Sequence, residues 1–321
     1  MNSLSKGHAS WLEIDESADG QRIDNFLVKA LKGVPRSHVY RILRSGEVRV
    51  NSGRISAGYR LQKGDKVRIP PIRLSAAPER RRSGGAPIGD NPLFEDDWLL
   101  AIDKPAGVAV HGGSGISMGV IERLREERPE QAFLELVHRL DRETSGVLML
   151  AKRRPALTSL HRQLREGAVQ KSYLVLVRGL WRDAKRSVKL PLQKFVLASG
   201  ERRVSVRGDG LAAHTVFHLR RRWKDYSLLE AELKTGRTHQ IRVHLAHIGF
   251  PIAGDEKYGD FALNRQLPRQ GLKRMFLHAA RIVIAHPSTG VELALEAPLP
   301  ADLAEFLATL DAKDAHVAPA V

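Results

Sequence analysis

Residues 134–152 read LELVHRLDRETSGVLMLAK. An apolar run closes at Val137, a string of polar groups follows (His138, Arg139, Asp141, Arg142, Glu143, Thr144, Ser145), and Gly146 opens a second apolar run, VLMLA. Unbroken apolar runs bounded by turn residues are what strands buried on both faces look like. The stretch predicts two core strands joined by a loop dense in ionisable groups. Loops held on a rigid scaffold commonly carry catalytic groups; a surface turn braced by Asx and Ser/Thr hydrogen bonds would use the same residue types.

Upstream, LLAIDKPAGVAVHGGSG (99–115) gives a buried strand LLAI, a turn from Asp103 through Lys104 and Pro105 to Gly107, a resumed strand VAV, and a glycine loop behind His111. The loop lacks the Gly-Lys-Ser/Thr of a P-loop and the spacing of a dinucleotide fingerprint. Downstream, YLVLV (173–177) reads as a strand. In QIRVH (240–244), Gln240, Arg242 and His244 alternate with Ile241 and Val243, which predicts a half-buried strand with Arg242 on the face opposite the apolar pair. His239, His244 and His247 lack H-E-x-x-H spacing and sit beside arginine rather than carboxylates, so hydrogen bonding or RNA contact is expected of them and no metal.

Strand-like and helix-like segments continue from 92 to 310 without regular βαβ spacing or internal repeat, so the fold class expected is α+β. A smaller α+β module occupies 14–71. There RIDNFLVKAL (22–31) sets Ile23, Phe26, Leu27, Ala30 and Leu31 at helical spacing. After a break at Gly33 and Pro35, SHVYRILRSG (37–46) restarts with Ser37 as cap, Val39, Ile42 and Leu43 on one face, and Gly46 as stop. Val48 and Val50, then Val67 and Ile69, alternate with basic residues as short strands, with a turn at 51–53. Between the two domains, 72–91 is rich in Pro, Gly, Ala and Arg, including Arg80 to Arg82, and reads as a flexible linker. The Ala-rich end, 311–321, reads as a frayed tail.

The chain has 321 residues, with 52 Lys/Arg against 36 Asp/Glu, a net +16, and no cysteine. Residues 22–70 concentrate that charge: 12 Lys/Arg against 3 Asp/Glu, a net +9. Arg22, Arg36, Arg41 and Arg44 lie on or beside the two helices and suit contact with a phosphate backbone; a solvated basic face is the alternative. Absence of cysteine excludes a disulfide scaffold, thiolate catalysis, iron–sulfur clusters and Cys-bound zinc. No run approaches the roughly 20 apolar residues of a membrane span. The opening MNSLSKGHASWLEIDES has no apolar h-region, so a cytoplasmic location is expected.

Two resemblances follow from these motifs. Residues 19–69 resemble the small RNA-binding module first known from a small-subunit ribosomal protein, the alpha-L motif. HRLDRETSG, KSYLVLVRG, GRTHQIRVHLAHIGFPIAGDEKYG and FLHAARI, in this order, resemble the pseudouridine synthases of the bacterial ribosomal large-subunit type over 92–307. The resemblance implies a catalytic domain with a mixed, mainly antiparallel sheet and flanking helices. It implies isomerisation of uridine to pseudouridine in 23S ribosomal RNA, with no cofactor and a monomeric enzyme. On this likeness Asp141 is the essential aspartate, acting as nucleophile or base, and Arg242 is its partner. Tyr173 stacks on the target base and can move a proton, Arg139 helps hold the nucleotide out of its stack, Lys171 and His138 contact the substrate, and Leu277 walls the base. Two other readings stay open at this point: a non-catalytic ribosome assembly factor that binds RNA, and a synthase acting on transfer RNA.

Overall fold

A computed structural model of the chain describes residues 9–31, 34, 36–72, 87–112 and 118–315. They divide into two compact units, Met1–Gly85 and Ala86–Val321. The first unit runs β1 (Ser10–Glu13), α1 (Ile23–Ala30), α2 (Arg36–Arg44), β2 (Arg49–Val50), β3 (Gly53–Arg54) and β4 (Lys66–Ile69), with sheet order β1-β4-β2-β3. Ile23 and Leu27 of α1 and Val39, Ile42 and Leu43 of α2 pack on Val48, Val50, Val67 and Ile69 in one buried cluster. The helical and strand periods legible in the sequence therefore converge on a single core. Asn51 and Ser52 take φ of 49° and 68°, the left-handed pair that a two-residue hairpin turn demands.

Two details differ from the sequence reading. The module gains β1, ahead of residue 14, because Leu12 pairs with Val67 and Trp11 with Arg68; SWLE is too short to announce itself. Helix α2 opens at Arg36, so Ser37 lies inside it rather than capping it. Of the expected linker, 73–86 lie outside the described residues, Arg80 to Arg82 among them, as do 113–117 of the glycine loop.

The second unit runs β5 (Phe94–Glu95), β6 (Leu99–Lys104), α3 (Val120–Glu127), β7 (Glu135–Leu136), β8 (Ser145–Ala151), α4 (Arg154–Glu166), β9 (Gln170–Arg178), β10 (Lys185–Lys189), β11 (Leu192–Val196), β12 (Arg202–Val206), β13 (His214–Arg222), β14 (Tyr226–Leu233), α5 (Gln240–His247), α6 (Phe261–Asn264), β15 (Leu277–Ala285), β16 (Glu292–Glu296) and α7 (Ala301–Ala315). One sheet has the order β10-β13-β14-β9-β15-β8-β6-β5, with β16 beside β15 and β7 beside β8, while β11 and β12 form a separate hairpin. The α+β class holds, and the sheet is mixed: its pairings are antiparallel apart from β8 with β15. All seven residues of β8 are buried. Leu148 and Leu150 enter one core with Val175, Phe217 and Leu245, while Val147, Met149 and Ala151 enter the other with Ala156, Leu157 and Leu160 of α4. Burial of both faces is why VLMLA shows no alternation.

The parallel step brings Ser145 opposite His278 and Gly146 opposite Ala279, anchoring the end of the polar loop beside the strand that carries Leu277. Gly146 has φ of +109°, and a Cβ there would lie 2.2 Å from the Ala279 carbonyl oxygen. Replacing Gly146 with Ala should destabilise the fold by about 2–4 kcal/mol, from positive-φ strain plus overpacking against backbone. Chemical denaturation checks this, and a loss within experimental error would refute the tight β8–β15 approach.

Three expectations are corrected. Residues 108–110 form no strand, because the Val108 carbonyl turns inward to accept from Lys104 Nζ at 2.8 Å. The tail from Asp311 continues α7 through Ala315, and Asp311 there accepts from Trp223 Nε1 at 2.7 Å. Residues 240–244 are helical, not extended. In α5 every residue from Gln240 to Leu245 is buried, so neither period of amphipathicity could show. Its polar members all find partners: Gln240 Nε2 donates to the His214 carbonyl, and His244 meets Thr215 Oγ1 and the Leu190 carbonyl.

Candidate active site

The polar loop between β7 and β8 is set from below by Lys104. Its ammonium is fully buried and donates to the carbonyls of Pro105, Val108 and Arg142. Burial lowers its pKa to about 8, against the pull of Glu143 and Asp141. The Gly107 amide also donates to the Arg142 carbonyl, and Arg142 Nε to that of Gly107, so the Asp103–Gly107 turn and the Asp141 loop are locked together. The Thr144 amide closes the loop on the Asp141 carbonyl.

Asp141 projects from this loop with its side chain 26% exposed, and its Oδ2 accepts from Arg242 Nη1 at 2.9 Å. Arg242 spends its other edge on Asp255, Nε to Oδ2 and Nη2 to Oδ1, both at 2.8 Å. Asp255 is 1% exposed, and its Oδ1 also accepts from the Lys257 and Tyr258 amides. Burial alone would lower the Arg242 pKa, but Asp255 and Asp141 outweigh it and hold it above the ordinary guanidinium range. Burial would likewise raise Asp255, yet Arg242 wins and holds that carboxylate low. The guanidinium lies over the Tyr258 ring, 5.1 Å from its centroid. Two carboxylates thus share one cation, the deeper one holding it and the shallower one facing the opening.

Tyr173 of β9 and Leu277 of β15 sit in one core cluster on adjacent strands, with Val175 opposite Leu277 and Tyr173 opposite Ala279. Burial, reinforced by the Asp141 charge, pushes the Tyr173 phenol well above its usual range, so it keeps its proton at neutral pH. Lys171, two residues before it on the same strand, has its pKa lowered by burial, and a Cβ at Gly236 would be 3.5 Å from its Nζ. Arg139 is exposed beside the loop. His138 Nε2 accepts from the Met149 amide at 3.1 Å, which braces β8. Burial, then the Lys171 charge, lowers its pKa to about 4.

A family model described as RNA pseudouridylate synthase matches residues 98–247, and an S4 domain model matches 21–67. Relatives named ribosomal large subunit pseudouridine synthase C are 53% identical in Yersinia pestis, over 92% of this chain and 94% of that protein, and 53% identical in Escherichia coli K12, over 91% and 93%. This chain belongs to the RNA pseudouridylate synthase family. Among solved structures, human RNA pseudouridylate synthase domain containing 4 aligns at 25% identity and a TM-score of 0.57, covering 68% of this chain and 92% of that one. Human RNA pseudouridylate synthase domain containing 1, at 24% identity and a TM-score of 0.58, shares the fold, covering 70% and 90%.

The chain is therefore an RNA pseudouridine synthase, an isomerase, with an S4 RNA-binding domain ahead of its catalytic domain. In that S4 domain Arg41 and Arg44 lie exposed on α2, whereas Arg22 is tied to the buried Asp24 by Nε and Nη2. Arg36 is part of α2, and its side chain lies outside the described residues. Lys104, Asp255 and Tyr258 join the candidate site with no role assigned from sequence, and His239, of which hydrogen bonding or RNA contact is expected, stands beside Asp141 and Tyr258. Asp255 and Tyr258 stood in the quoted GDEKYG block, and Lys104 in the KPAG turn, but a turn motif does not show which distant cation or carbonyl it will meet. Among the described residues no group of three or more His, Cys, Asp or Glu could hold a metal ion, and no helix is long and apolar enough to cross a membrane.

Proposed function

We propose that this synthase isomerises specific uridines of large-subunit (23S) ribosomal RNA, acting as a monomer in the cytoplasm without a cofactor. The observation that carries the reading is the Asp141 carboxylate, held at one oxygen by Arg242 Nη1 at 2.9 Å, with the buried Tyr173 beside it. The C1′–N1 bond breaks and a C1′–C5 bond forms; C5 gives up a proton and N1 gains one, so the atoms balance. Asp141 supplies the carboxylate, as nucleophile at the sugar or as base. Tyr173 and Leu277 face the base, and Lys171 and Arg139 hold the nucleotide. A uridine in folded RNA must first leave its stack, at a cost of a few kcal/mol, and the exposed Arg139 helps hold the flipped nucleotide. Arg41, Arg44 and Arg36 of the S4 domain, with Arg22 beside them, supply salt-dependent affinity for the phosphate backbone.

The named relatives favour the large-subunit substrate over transfer RNA and over an assembly role without chemistry. Pseudouridine mapping of RNA from a strain lacking the gene, against its parent, tests this. A small set of large-subunit positions should lose pseudouridine and regain it with the purified chain. Loss confined to transfer RNA, or no loss at all, would refute the assignment.

A further inference from the structure

We propose that His239 is a positioning residue for the Asp141 carboxylate, holding a neutral Nε2–H toward Oδ1 so that this oxygen is aimed and left free to react. The inference rests on reading Asp141 as the reacting group.

The backbone gives the first observation. Among the described residues the non-glycine positions with positive φ are Asn51, Ser52 and His239. The first two make a hairpin turn. His239, at φ 53° and ψ 22°, precedes α5 but makes no capping bond with its side chain. Gln240 Oε1 accepts from the Arg237 amide at 3.0 Å and from Thr235 Oγ1 at 2.7 Å, which ties the approach to the helix rather than its first turn. The His239 carbonyl opens α5 by accepting from the Val243 amide at 3.0 Å, while its imidazole takes no part in the helix. The imidazole on this left-handed residue lies against Tyr258 and Asp141, and strain of this kind is characteristically kept where function needs it.

The ring's partners give the second. Nδ1 lies 2.8 Å from Tyr258 Oη, which also accepts from the Val204 amide at 3.0 Å. Among the described residues the acceptor seen for the Tyr258 hydroxyl proton is the His239 Nδ1 lone pair. This places the ring proton on Nε2. The opposite tautomer would leave the hydroxyl proton without a partner and would point the Nε2 lone pair at a carboxylate. Both features select the Nε2–H form.

The third observation is the asymmetry of Asp141. Oδ2 is bound by Arg242 at 2.9 Å, whereas His239 Nε2 stands 3.8 Å from Oδ1, beyond hydrogen-bond reach, and no hydrogen bond to Oδ1 is seen among the described residues. A cation at this place would draw Oδ1 into a second ion pair and remove its free lone pairs. A neutral N–H dipole at this distance favours one placement of the carboxylate without closing a bond on Oδ1 or adding a charge to it. The charged groups facing the ring are Asp141, Arg242, Lys257 and Asp255, and burial is the largest influence on its titration, lowering its pKa. The ring is thus kept uncharged beside an anion.

The test uses the full chain, with a large-subunit ribosomal RNA transcript as substrate. His239→Asn removes the ring while keeping a residue that tolerates the left-handed backbone. Tyr258→Phe keeps the ring packing and removes the hydroxyl that sets the tautomer. Single-turnover rate, RNA Kd and melting temperature are measured together. His239→Asn should slow the single-turnover rate by about 10–100-fold with RNA Kd changed less than about twofold, the pattern of a misaimed group rather than a lost contact. Tyr258→Phe should cost less, and the double variant no more than His239→Asn alone, because both act through one ring. A wild-type rate in His239→Asn, a loss confined to Kd, a loss that tracks melting temperature, or losses that multiply in the double variant would each overturn the proposal. The wild-type chain tests the substrate reading separately. If it makes no pseudouridine, that reading falls; if it is active and His239→Asn equals it, only the role given to His239 falls.

Discussion

Asp141→Ala should abolish pseudouridine formation while RNA binding and the fold persist. The rate should fall by at least about 10³-fold, the ~4 kcal/mol that accompanies removal of a reacting group. The structure separates this loss from unfolding. Arg242 keeps its bidentate pair with Asp255 when Asp141 is gone, so no cation is left bare in the interior. The loop also keeps its frame, because Lys104 and Gly107 grip the backbone of Arg142 rather than the Asp141 side chain. Stability should therefore fall by only about 1–2 kcal/mol, the worth of one charge-assisted hydrogen bond. Asp141→Asn, which preserves shape and removes charge, should lose activity equally. A tritium-release assay on uridine-labelled RNA, with RNA Kd measured in parallel, decides it. Equal loss of binding and activity in a folded variant would refute the reacting role.

Asp255→Asn has the opposite signature. Asp255 is almost wholly buried and satisfies two N–H donors along one edge of the Arg242 guanidinium plus two backbone amides. Removing its charge leaves a buried cation with a single, partly exposed partner. Breaking a buried pair from one side costs about 3–5 kcal/mol, so this substitution should destabilise more than Asp141→Ala. Activity should fall too, since Arg242 would be free to swing fully onto Asp141. The sign with pH follows from the depressed carboxyl. In the folded protein Asp255 titrates below its unfolded value, so its contribution is fully present above about pH 4 and fades as pH drops through the lower folded value. The stability gap between wild type and Asp255→Asn should therefore close in acid. Urea denaturation at neutral and acid pH measures it, and a gap below about 1 kcal/mol at neutral pH would show that the pair contributes little.

Much of the chain's organisation is visible in its residues for physical reasons. VLMLA and LLAI are unbroken apolar runs because both of their faces pack into cores. Helices α1 and α2 show their spacing because each lies on a small sheet with one face outward. The polar string from His138 to Ser145 stands out because it interrupts two such strands. Helix α5 hides its period for the converse reason: Gln240 to Leu245 are all buried, so they carry no stripe, and polar residues satisfied inside the protein look like an alternating exposed face.

The sequence by itself determined that a basic module precedes a larger α+β domain, that polyanion binding is its business, and that Asp141 stands in an ionisable loop between core strands. Those properties are local: charge, hydrophobic period and turn chemistry act over a few residues. The tertiary structure alone decided that Arg242 reaches Asp141 across 101 residues and Asp255 across 13. It also decided that His239 points its ring between Tyr258 and that carboxylate. Which partner a buried charge meets depends on long-range strand pairing and on the depth at which the pair is desolvated, and neither quantity is written in the spacing of neighbouring residues.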